Sequence, residues 1–280
     1  MKLVRYGEAG AEQPGMIDDD GNIRALAGHV GDIDAASIGA DVLDRIARLD
    51  PASLPLVEGA PRIGPCVGNI GKIIAIGLNY SDHAAETGLA LPSEPVIFSK
   101  AITSICGPDD DLVLPRDSDK TDWEVELGIV IGREAKYIDQ DQALDHVAGY
   151  CLVNDVSERA WQIERGGQWV KGKSHDGFCS VGPWLVTRDE VPDPQNLGMR
   201  TRINGALMQD GTTANQIFGV AHVVAYLTQF MRLMPGDLIP TGTPAGVGMG
   251  LKPPRYLQNG DRVEISIDAL GAQSRNVLGR

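Results

Sequence analysis

The 280-residue sequence has no long apolar run and no excess of basic residues, and each absence excludes a class of protein. No stretch approaches the roughly 20 apolar residues that a membrane-spanning helix needs. Lys and Arg number 25 against 38 Asp and Glu, and this net charge of −13 argues against a nucleic-acid-binding surface. The first residues, MKLVRYGEAGAEQPG, lack the apolar core of a signal peptide, so the cytoplasm is the expected compartment.

Cysteine is scarce as well, and its spacing excludes the common cysteine-based sites. The four cysteines, Cys66, Cys106, Cys151 and Cys179, lie far apart and form no C-x-x-C pair. Zinc sites and redox motifs need closely spaced cysteines, so we expect free thiols in a reducing compartment. Nothing in the sequence pairs Cys179 with a base, and we expect this residue to be buried rather than reactive.

The residues that are plentiful are those of strands and turns. The 34 glycines, 17 prolines and few long helical patterns favour an α+β fold that is predominantly β. Helical and strand patterns do not alternate regularly, which argues against a doubly wound parallel sheet. Strands are predicted at 2–6, 15–26 around a DDDG turn, 72–77, 96–100, 111–115, 123–132, 148–155, 183–187, 199–205 and 261–268. Helices are predicted at 40–49, at 78–88 ending on Gly88, at 157–167 with Ser157 as N-cap, and at 219–232.

The predicted elements fall into two domains. Residues 1–65 form a small N-terminal α+β domain, whose last part, 49–65, contains four prolines without a clear period and is predicted to be a connector. Residues 66–280 contain most of the strands and form the second, larger domain, which is expected to be catalytic.

The stretch WEVELGIVIG at 123–132 places two acids on a strand that is otherwise largely apolar. Glu124 and Glu126 are two residues apart, so they project from the same face. Two like charges on a buried face repel each other and resist desolvation, so a positive group should lie between them. A divalent cation such as Mg²⁺ meets that need, and Asp155, at the polar end of the 148–155 strand, is a candidate third ligand. The alternative is that both glutamates face solvent on an edge strand.

Two other motifs carry candidate chemistry. His83 and Glu86 are three apart, which places them side by side on a helix, and a carboxylate beside an imidazole raises its basicity. They form either a general base or a routine ion pair on a surface helix. The stretch TGTPAGVGMG at 241–250 lacks the G-K-[ST] ending of a phosphate-binding loop and clear βαβ context. Its backbone N–H groups and the Thr243 hydroxyl fit a turn that binds a carboxylate.

Five motifs in this order resemble the fumarylacetoacetate hydrolase family across roughly residues 70 to 270. They are N-Y-x-x-H-x-x-E at 79–86, E-V-E-L-G-I-V-I-G at 124–132, L-V-N-D-V-S-E-R-A-W-Q at 152–162, G-G-Q-W-V-K-G-K-S at 166–174 and T-G-T-P-A-G-V at 241–247. No single motif is decisive, but the ordered set is specific. The sequence after residue 172 is most similar to that of a bacterial branch of the family. Members of this branch are labelled as diketo-sugar-acid hydrolase, ureidoglycolate lyase or hydroxyheptadienedioate isomerase.

The resemblance implies a layered β-sheet roll for the larger domain and a metal site within it. It implies that Glu124, Glu126 and Asp155 bind Mg²⁺ or Mn²⁺, with open positions for a substrate carboxylate and its adjacent 2-oxo oxygen. It also implies that His83 and Glu86 are a catalytic dyad, on a segment that acts as a lid over bound ligand. Family members are usually homodimers, so the resemblance implies a homodimer by analogy alone.

The resemblance further implies catalytic and substrate-binding residues around the metal. Lys173 matches a lysine beside the metal that stabilises a developing enolate, whereas Lys171 is a competing candidate more typical of a solvated lysine. Arg159 and Gln162 match positions that reach towards substrate, although Arg159 could instead pair with a neighbouring glutamate, Glu158 or Glu164. Lys100 also fits a family position near the cleft. Apart from the resemblance, the tryptophans are expected to be packing residues, although Trp169 could form a wall of the cleft.

Two departures from the family pattern follow Lys173. Gly177 stands where relatives often have Thr, which removes a side chain near the expected pocket. His175 adds an imidazole nearby. These changes leave the metal site intact, but they weaken any transfer of substrate from a close relative.

The reaction implied is metal-dependent hydrolysis of a C–C bond in a 2,4-diketo acid, either an acylpyruvate or a diketo-deoxy sugar acid, through a pyruvate enolate. A lyase, isomerase or decarboxylase acting through the same enolate is the first alternative. A non-catalytic binding protein with a structural cation is the second. In each enzyme hypothesis the partner is a small 2-oxo acid, with no nucleic acid and no membrane.

Overall fold

Short strands dominate the fold, as the glycine- and proline-rich sequence predicts. The computed structural model describes residues 1–88 and 90–279, and over these residues it contains eighteen strands and four α-helices. The strands are β1 (Lys2–Tyr6), β2 (Gln13–Ile17), β3 (Ile23–Ala25), β4 (Ile73–Gly77), β5 (Val96–Lys100), β6 (Ile105–Cys106), β7 (Leu112–Val113), β8 (Thr121–Asp122), β9 (Val125–Ile131), β10 (Val147–Asp155), β11 (Ser157–Glu158), β12 (Cys179–Val181), β13 (Leu185–Thr187), β14 (Gly198–Ile203), β15 (Ala206–Thr212), β16 (Leu238–Pro240), β17 (Arg262–Ile267) and β18 (Gly271–Leu278). The helices are α1 (Ala40–Ala47), α2 (Ser81–Thr87), α3 (Val170–Lys173) and α4 (Val220–Phe230).

The strands form one large mixed sheet, a second sheet packed against it and a two-stranded ribbon. The eleven-stranded sheet has the order β3-β2-β1-β13-β10-β9-β16-β4-β5, and β12 and β6 extend it beside β10. The second sheet has five strands in the order β15-β14-β17-β18-β7, and the ribbon pairs β11 with β8. This architecture confirms the predicted α+β, predominantly β class.

The centre of the large sheet is apolar on both faces because it is covered on both sides. Along β9, Leu127 and Ile129 belong to the core that also contains Ile265 of β17, so this face packs on the five-stranded sheet. Val130 points to the opposite face and packs in a second core with Ile46 of helix α1. A strand buried on both faces is expected to be a nearly continuous apolar run, as the sequence from Leu127 to Ile131 is.

The N-terminal strands are continuous with the large sheet. β1 pairs antiparallel with β13, where Lys2 lies opposite Val186, and β2 and β3 follow outward from it. The predicted boundary near residue 65 therefore does not interrupt the sheet, and the division into two domains there stays a prediction.

The predicted helix at 157–167 is wrong at its beginning. Ser157 and Glu158 form strand β11, and helical geometry covers only the π-helical segment Ala160–Glu164. The Ser157 hydroxyl donates to the backbone carbonyl of Asp155 at 3.0 Å, so it does not cap a helix. The Glu158 carboxylate instead accepts the N–H of Ala160 at 3.1 Å.

The other predicted helices form near their expected positions. Helix α2 ends at Gly88, whose φ of 69° lies in the left-handed region that favours glycine. The amphipathic pattern at 219–232 corresponds to α4. Within the part of the chain that the structure describes, no helix is both long and apolar enough to cross a bilayer.

Candidate active site

Strand pairing brings Glu124, Glu126 and Asp155 together at one end of the large sheet. Glu126 lies opposite Val153 in the β9–β10 register, and the N–H of Asp155 donates to the carbonyl of Glu124 at 3.0 Å. Because side chains alternate along a strand, the three carboxylates share one face. One oxygen from each lies within 4.8 Å of the others, and all three residues are buried. The structure thus groups the three acids that the sequence analysis selected, and it excludes solvent-facing positions for the two glutamates.

Three buried basic side chains surround these acids. The Lys173 ammonium lies 2.6 Å from Oε2 of Glu124 and 2.7 Å from Oδ2 of Asp155. Arg159 Nη1 lies 2.7 Å from Oε1 of Glu124, and Lys100 Nζ lies 2.6 Å from Oδ1 of Asp155. Buried charges are tolerated when they are paired in this way.

Glu126 differs from the other two acids because no Lys or Arg among the described residues forms an ion pair with it. Its Oε2 accepts the backbone N–H of Gly242 at 2.8 Å. Burial raises the pKa of Glu126 well above its ordinary value, and the charges of Asp155 and Glu124 raise it further. Burial acts in the same direction on Glu124, but Lys173 and Arg159 outweigh it and lower the pKa of Glu124 to about 2. The unmatched charge of Glu126, in a set of three carboxylates, fits a hard divalent cation such as Mg²⁺ or Mn²⁺.

His83 and Glu86 form the predicted contact on helix α2. His83 Nδ1 lies 3.1 Å from Oε2 of Glu86, and the His83 ring is buried against the same cavity that Glu124 and Glu126 line. The other oxygen of Glu86 accepts the N–H of Gly246 at 2.9 Å. Gly250 lies so close to the Glu86 carboxylate that a Cβ there would collide with it. The loop at 246–250 therefore holds Glu86 in place beside the imidazole.

A cavity of about 260 Å³ joins the acids to this dyad. It is lined by Ile76, Gly77, Leu78, His83, Phe98, Glu124, Glu126, Arg159, Gln162, Ile163, Trp169, Lys173, Gly242, Thr243 and Met249. Trp169 closes one wall and meets Phe98 edge-on, with 5.3 Å between ring centroids. A Cβ at Gly77 would overlap the Trp169 ring, so only glycine lets this wall approach β4.

The predicted substrate-binding residues occupy different positions. Arg159, Gln162 and Thr243 line the cavity, whereas Lys100 lies outside the lining and its ammonium also contacts the backbone carbonyls of Val156 and Lys173. This placement favours neutralisation of Asp155 by Lys100 over contact with a substrate. Substrate binding by Arg159, Gln162 and Thr243 stays a prediction.

The structure decides between the alternatives that the sequence left open for Arg159 and for the lysines at 171 and 173. Arg159 pairs with Asp122 and Glu124 rather than with Glu158 or Glu164. Lys173 is buried at the acids, whereas Lys171 is exposed and donates to the backbone carbonyl of Arg165.

The predicted carboxylate-binding turn at 241–250 binds a carboxylate of the protein itself. Gly242 donates to Glu126, and the Thr243 hydroxyl donates to the carbonyl of Val125 at 2.9 Å while it accepts the Gln209 amide at 2.8 Å. The turn therefore fixes one of the acids and still presents Thr243 to the cavity.

Asp122 is a buried residue that the sequence analysis missed. Its carboxylate accepts the N–H groups of Gly248 at 2.7 Å and Met249 at 3.0 Å, and it accepts Nε of Arg159 at 2.9 Å. Asp122 thus links the loop behind Glu86 to the guanidinium beside Glu124. The available signal was a third acid two residues before Glu124.

Two residues expected near the pocket do not line it. The His175 ring packs against Phe178 at a tilt of 53°, with 5.0 Å between ring centroids. Gly177 has a φ of 75°, and its carbonyl accepts a hydrogen bond from Arg275. Their position outside the lining is a difference from the expected one, and their effect on substrate selection stays a prediction. Residue 89, within the predicted lid, lies outside the described residues.

The four cysteines are free thiols, as predicted. Cys66, Cys151 and Cys179 are buried and Cys106 is partly exposed. Burial raises the pKa of Cys179 to about 12, which makes this thiol a poor nucleophile.

Comparison with known proteins places this geometry in a family. Residues 72–278 match the model described as fumarylacetoacetate (FAA) hydrolase C-terminal. A protein from Burkholderia multivorans, named as a hydrolase without a stated substrate, is 58% identical over 274 residues, which are 98% of this chain and 97% of the relative.

Solved structures with the same fold carry both hydrolase and isomerase names. A fumarylacetoacetate hydrolase from Exiguobacterium antarcticum aligns with a TM-score of 0.87 at 35% identity over 100% of both chains. A 2-hydroxyhepta-2,4-diene-1,7-dioate isomerase from Mycobacterium marinum aligns with a TM-score of 0.77 at 32% identity over 100% of this chain and 99% of the other. Maleylpyruvate hydrolase from Sphingobium sp. SYK-6, in complex with manganese(II) and pyruvate, aligns with a TM-score of 0.83 at 27% identity with the same coverage.

Proposed function

Because the chain belongs to the fumarylacetoacetate hydrolase family, we propose that it is a divalent-metal-dependent hydrolase that cleaves a C–C bond in a 2,4-diketo acid. Water adds to the 4-carbonyl, the bond between C3 and C4 breaks, and the products are a carboxylic acid and pyruvate. The family neighbours are hydrolases and isomerases, which supports an enzyme over a non-catalytic binding protein.

The buried acids supply the anchor for a 2-oxo acid. Glu124, Glu126 and Asp155 would hold Mg²⁺ or Mn²⁺, which when bound polarises the substrate's carboxylate and 2-oxo oxygens. Manganese and pyruvate in the Sphingobium maleylpyruvate hydrolase support this assignment. Arg159, beside Glu124, is placed to meet an oxygen of the same 2-oxo acid group.

The dyad moves the proton of the attacking water. His83 takes this proton at Nε2, because its Nδ1 is hydrogen-bonded to Glu86. The Glu86 carboxylate then stabilises the imidazolium that forms. Since Glu86 is itself held by Gly246, the imidazole keeps one orientation towards the cavity. His83 then returns the proton to a product.

Lys173 stabilises the charge that remains after the bond breaks. The electron pair of the broken bond moves into the pyruvate fragment as an enolate, and the Lys173 ammonium at the cavity wall lies beside the acids that anchor that fragment. Protonation at C3 then releases pyruvate.

The observation that carries this proposal concerns Glu126, which among the three clustered acids is the one that no Lys or Arg of the described residues pairs with. Glu126 faces the cavity that His83, the partner of Glu86, also lines. The test uses purified protein treated with chelator and then supplied with Mg²⁺ or Mn²⁺. We expect pyruvate release from acylpyruvates only with metal. Pyruvate release that is unaffected by chelation would contradict the proposal.

The isomerase name of the Mycobacterium marinum structure supports a second candidate, isomerisation through the same enolate. Product analysis separates the two: hydrolysis releases pyruvate, whereas isomerisation conserves all carbons and exchanges a C–H proton for deuterium in D₂O. The homodimer and the cytoplasmic location stay predictions.

A further inference from the structure

The buried charges at the cavity, together with a divalent metal ion, can neutralise only one negative charge of a substrate. The ion-pair cluster contains four acids and three basic side chains, which leave one negative charge. The acids are Asp122, Glu124, Glu126 and Asp155, and the basic residues are Lys100, Arg159 and Lys173. A divalent ion turns this into one positive charge, which one carboxylate neutralises. Since uncompensated charge is costly in a buried site, a second carboxylate needs another cation.

No such cation lines the cavity within the part of the chain that the structure describes. Arg159 and Lys173 are the only Lys or Arg residues there, and both already contact acids at the metal end. Arg159 Nη2, which lacks a well-directed hydrogen bond, lies 2.9 Å from Asp122 and so belongs to the same end. The His83–Glu86 pair contributes either no net charge or one negative charge, depending on the proton.

Away from the charged groups, the polar side chains of the lining are those of Gln162 and Thr243, and neither is charged. The apolar part of the wall consists of Ile76, Leu78, Phe98, Ile163, Trp169 and Met249. At the rim, Ile163 is 51% exposed, so the apolar surface continues to the cavity mouth. The segment 87–95, which follows the His83 helix, contains one charged residue, the acid Glu94, and its carboxylate accepts the Tyr226 hydroxyl at 2.7 Å.

The volume sets the size of the ligand. Since a cavity of roughly 150 Å³ accepts benzene, about 260 Å³ suits a molecule of roughly ten non-hydrogen atoms. A diketo acid with a short acyl chain has this size.

From these observations we infer that the site selects 2,4-diketo acids with one carboxylate and a short, uncharged, apolar acyl chain, and discriminates against dicarboxylates. This inference rests on the proposed function, and it sets the chain apart from the neighbours named for maleylpyruvate and a heptadienedioate, both of which carry two carboxylates.

A pair of substrates matched in length tests the inference on the metal-loaded protein. Butanoylpyruvate and succinylpyruvate both have seven carbons and differ only at the far end, methyl against carboxylate. We expect kcat/KM for butanoylpyruvate to exceed that for succinylpyruvate by at least about tenfold, mainly through KM. A smaller ratio, or the reverse order, overturns the inference.

Binding separates a failure of this inference from a failure of the proposed reaction. If neither substrate is cleaved, thermal unfolding with Mg²⁺ compares 2-oxopentanoate with 2-oxopentanedioate at equal concentration. We expect the monoacid to raise Tm by about 2 °C or more beyond the diacid. Equal shifts, or a larger shift with the diacid, overturn the inference whether or not the protein is catalytic.

A variant at the rim supplies the missing cation. Ile163→Arg places a guanidinium at the half-exposed wall, and Ile163→Gln is the uncharged control of similar length. We expect only Ile163→Arg to raise kcat/KM for succinylpyruvate relative to butanoylpyruvate, by about tenfold. Equal effects of the two variants on this ratio would show that charge at the far end is not what the site discriminates.

Discussion

Lys100 and Asp155 form an ion pair that is completely excluded from solvent, with 2.6 Å between Nζ and Oδ1. Removal of one partner from a buried pair typically costs about 3–5 kcal/mol, because the other charge stays buried. We expect Lys100→Met to lower Tm of the chelated protein by about 6 °C or more. The exposed lysine variant Lys252→Met is the control and should change the free energy of unfolding by less than about 0.5 kcal/mol. Similar Tm values for the two variants would show that Lys173, 2.7 Å from Oδ2 of Asp155, suffices as its basic partner.

Glu126→Gln keeps the shape of the side chain and removes the charge of the clustered acid that has no ion pair with a described Lys or Arg. Without metal we expect Tm to stay the same or rise, because repulsion from Glu124 and Asp155 is relieved. The stabilisation by Mg²⁺, about 2.7 kcal/mol for the unmodified protein at 100 times Kd, should be lost. Thermal unfolding with chelator and with Mg²⁺ measures both effects, and Glu164→Gln, at an exposed position, is the matched control. If Glu126→Gln keeps the full response to Mg²⁺, Glu126 is not a ligand.

The dyad predicts an effect on turnover rather than on binding. We expect His83→Asn to lower kcat on an acylpyruvate by about 10²- to 10⁴-fold with little change in KM, because only proton transfer is lost. Glu86→Gln should lower kcat less, since the imidazole remains. The control is His29→Asn at an exposed histidine, with Tm measured for every variant. Unchanged kcat in His83→Asn would exclude this histidine as the base.

Asp110 predicts a pH dependence of stability. Burial raises its pKa, but hydrogen bonds from Arg62 and from the N–H of Gly107 outweigh this and hold it below the ordinary value of 3.8. A carboxylate with a lowered pKa stabilises the folded state above the unfolded-state pKa, and this contribution is lost as pH falls through the folded-state pKa.

Asp110→Asn should therefore destabilise the protein by about 1 kcal/mol between pH 5 and 8, since the pair with Arg62 is partly exposed. The difference from the unmodified protein should narrow below about pH 4, where the carboxylate becomes protonated. Urea unfolding at a series of pH values measures it, and Asp139→Asn at an exposed site is the control. A difference that grows at low pH would contradict the assignment.

Much of the fold could be predicted because apolar patterns decide it. The apolar run from Leu127 to Ile131 indicated a buried strand, and the structure has β9 there. Strands β15 and β18 were missed because their sequences, ALMQDGT and GAQSRNVL, contain many polar residues. One side of each strand faces solvent, so the apolar pattern that marks a buried strand is absent. The helix predicted to begin at Ser157 failed there because pairing with β8, a tertiary contact, overrides the local capping preference.

The site was only partly readable from the sequence for a similar reason. Spacing alone paired Glu124 with Glu126 and His83 with Glu86. The polar end of the 148–155 strand suggested Asp155, and the ordered motifs added Lys173. Spacing could not show that Asp122 joins Arg159 to the loop at 248–249, because those partners are 37 and 126 residues away. Nor could spacing show that the N–H of Gly242 donates its hydrogen bond to Glu126 rather than to a bound ligand.

The strand order has a consequence for biogenesis. Strand β9, which contains Glu126, lies between β10 and β16 in the sheet. Its second neighbour, β16, comprises residues 238–240, which come more than 100 positions later in the chain. Likewise, β1 can pair with β13 only after residues 185–187 have been synthesised. A ribosome must therefore release most of the polypeptide before the central strand is flanked on both sides. Such long-range pairing slows folding and leaves a nascent edge open to aggregation, so a chaperone that shields unfinished strands should raise the yield of native protein.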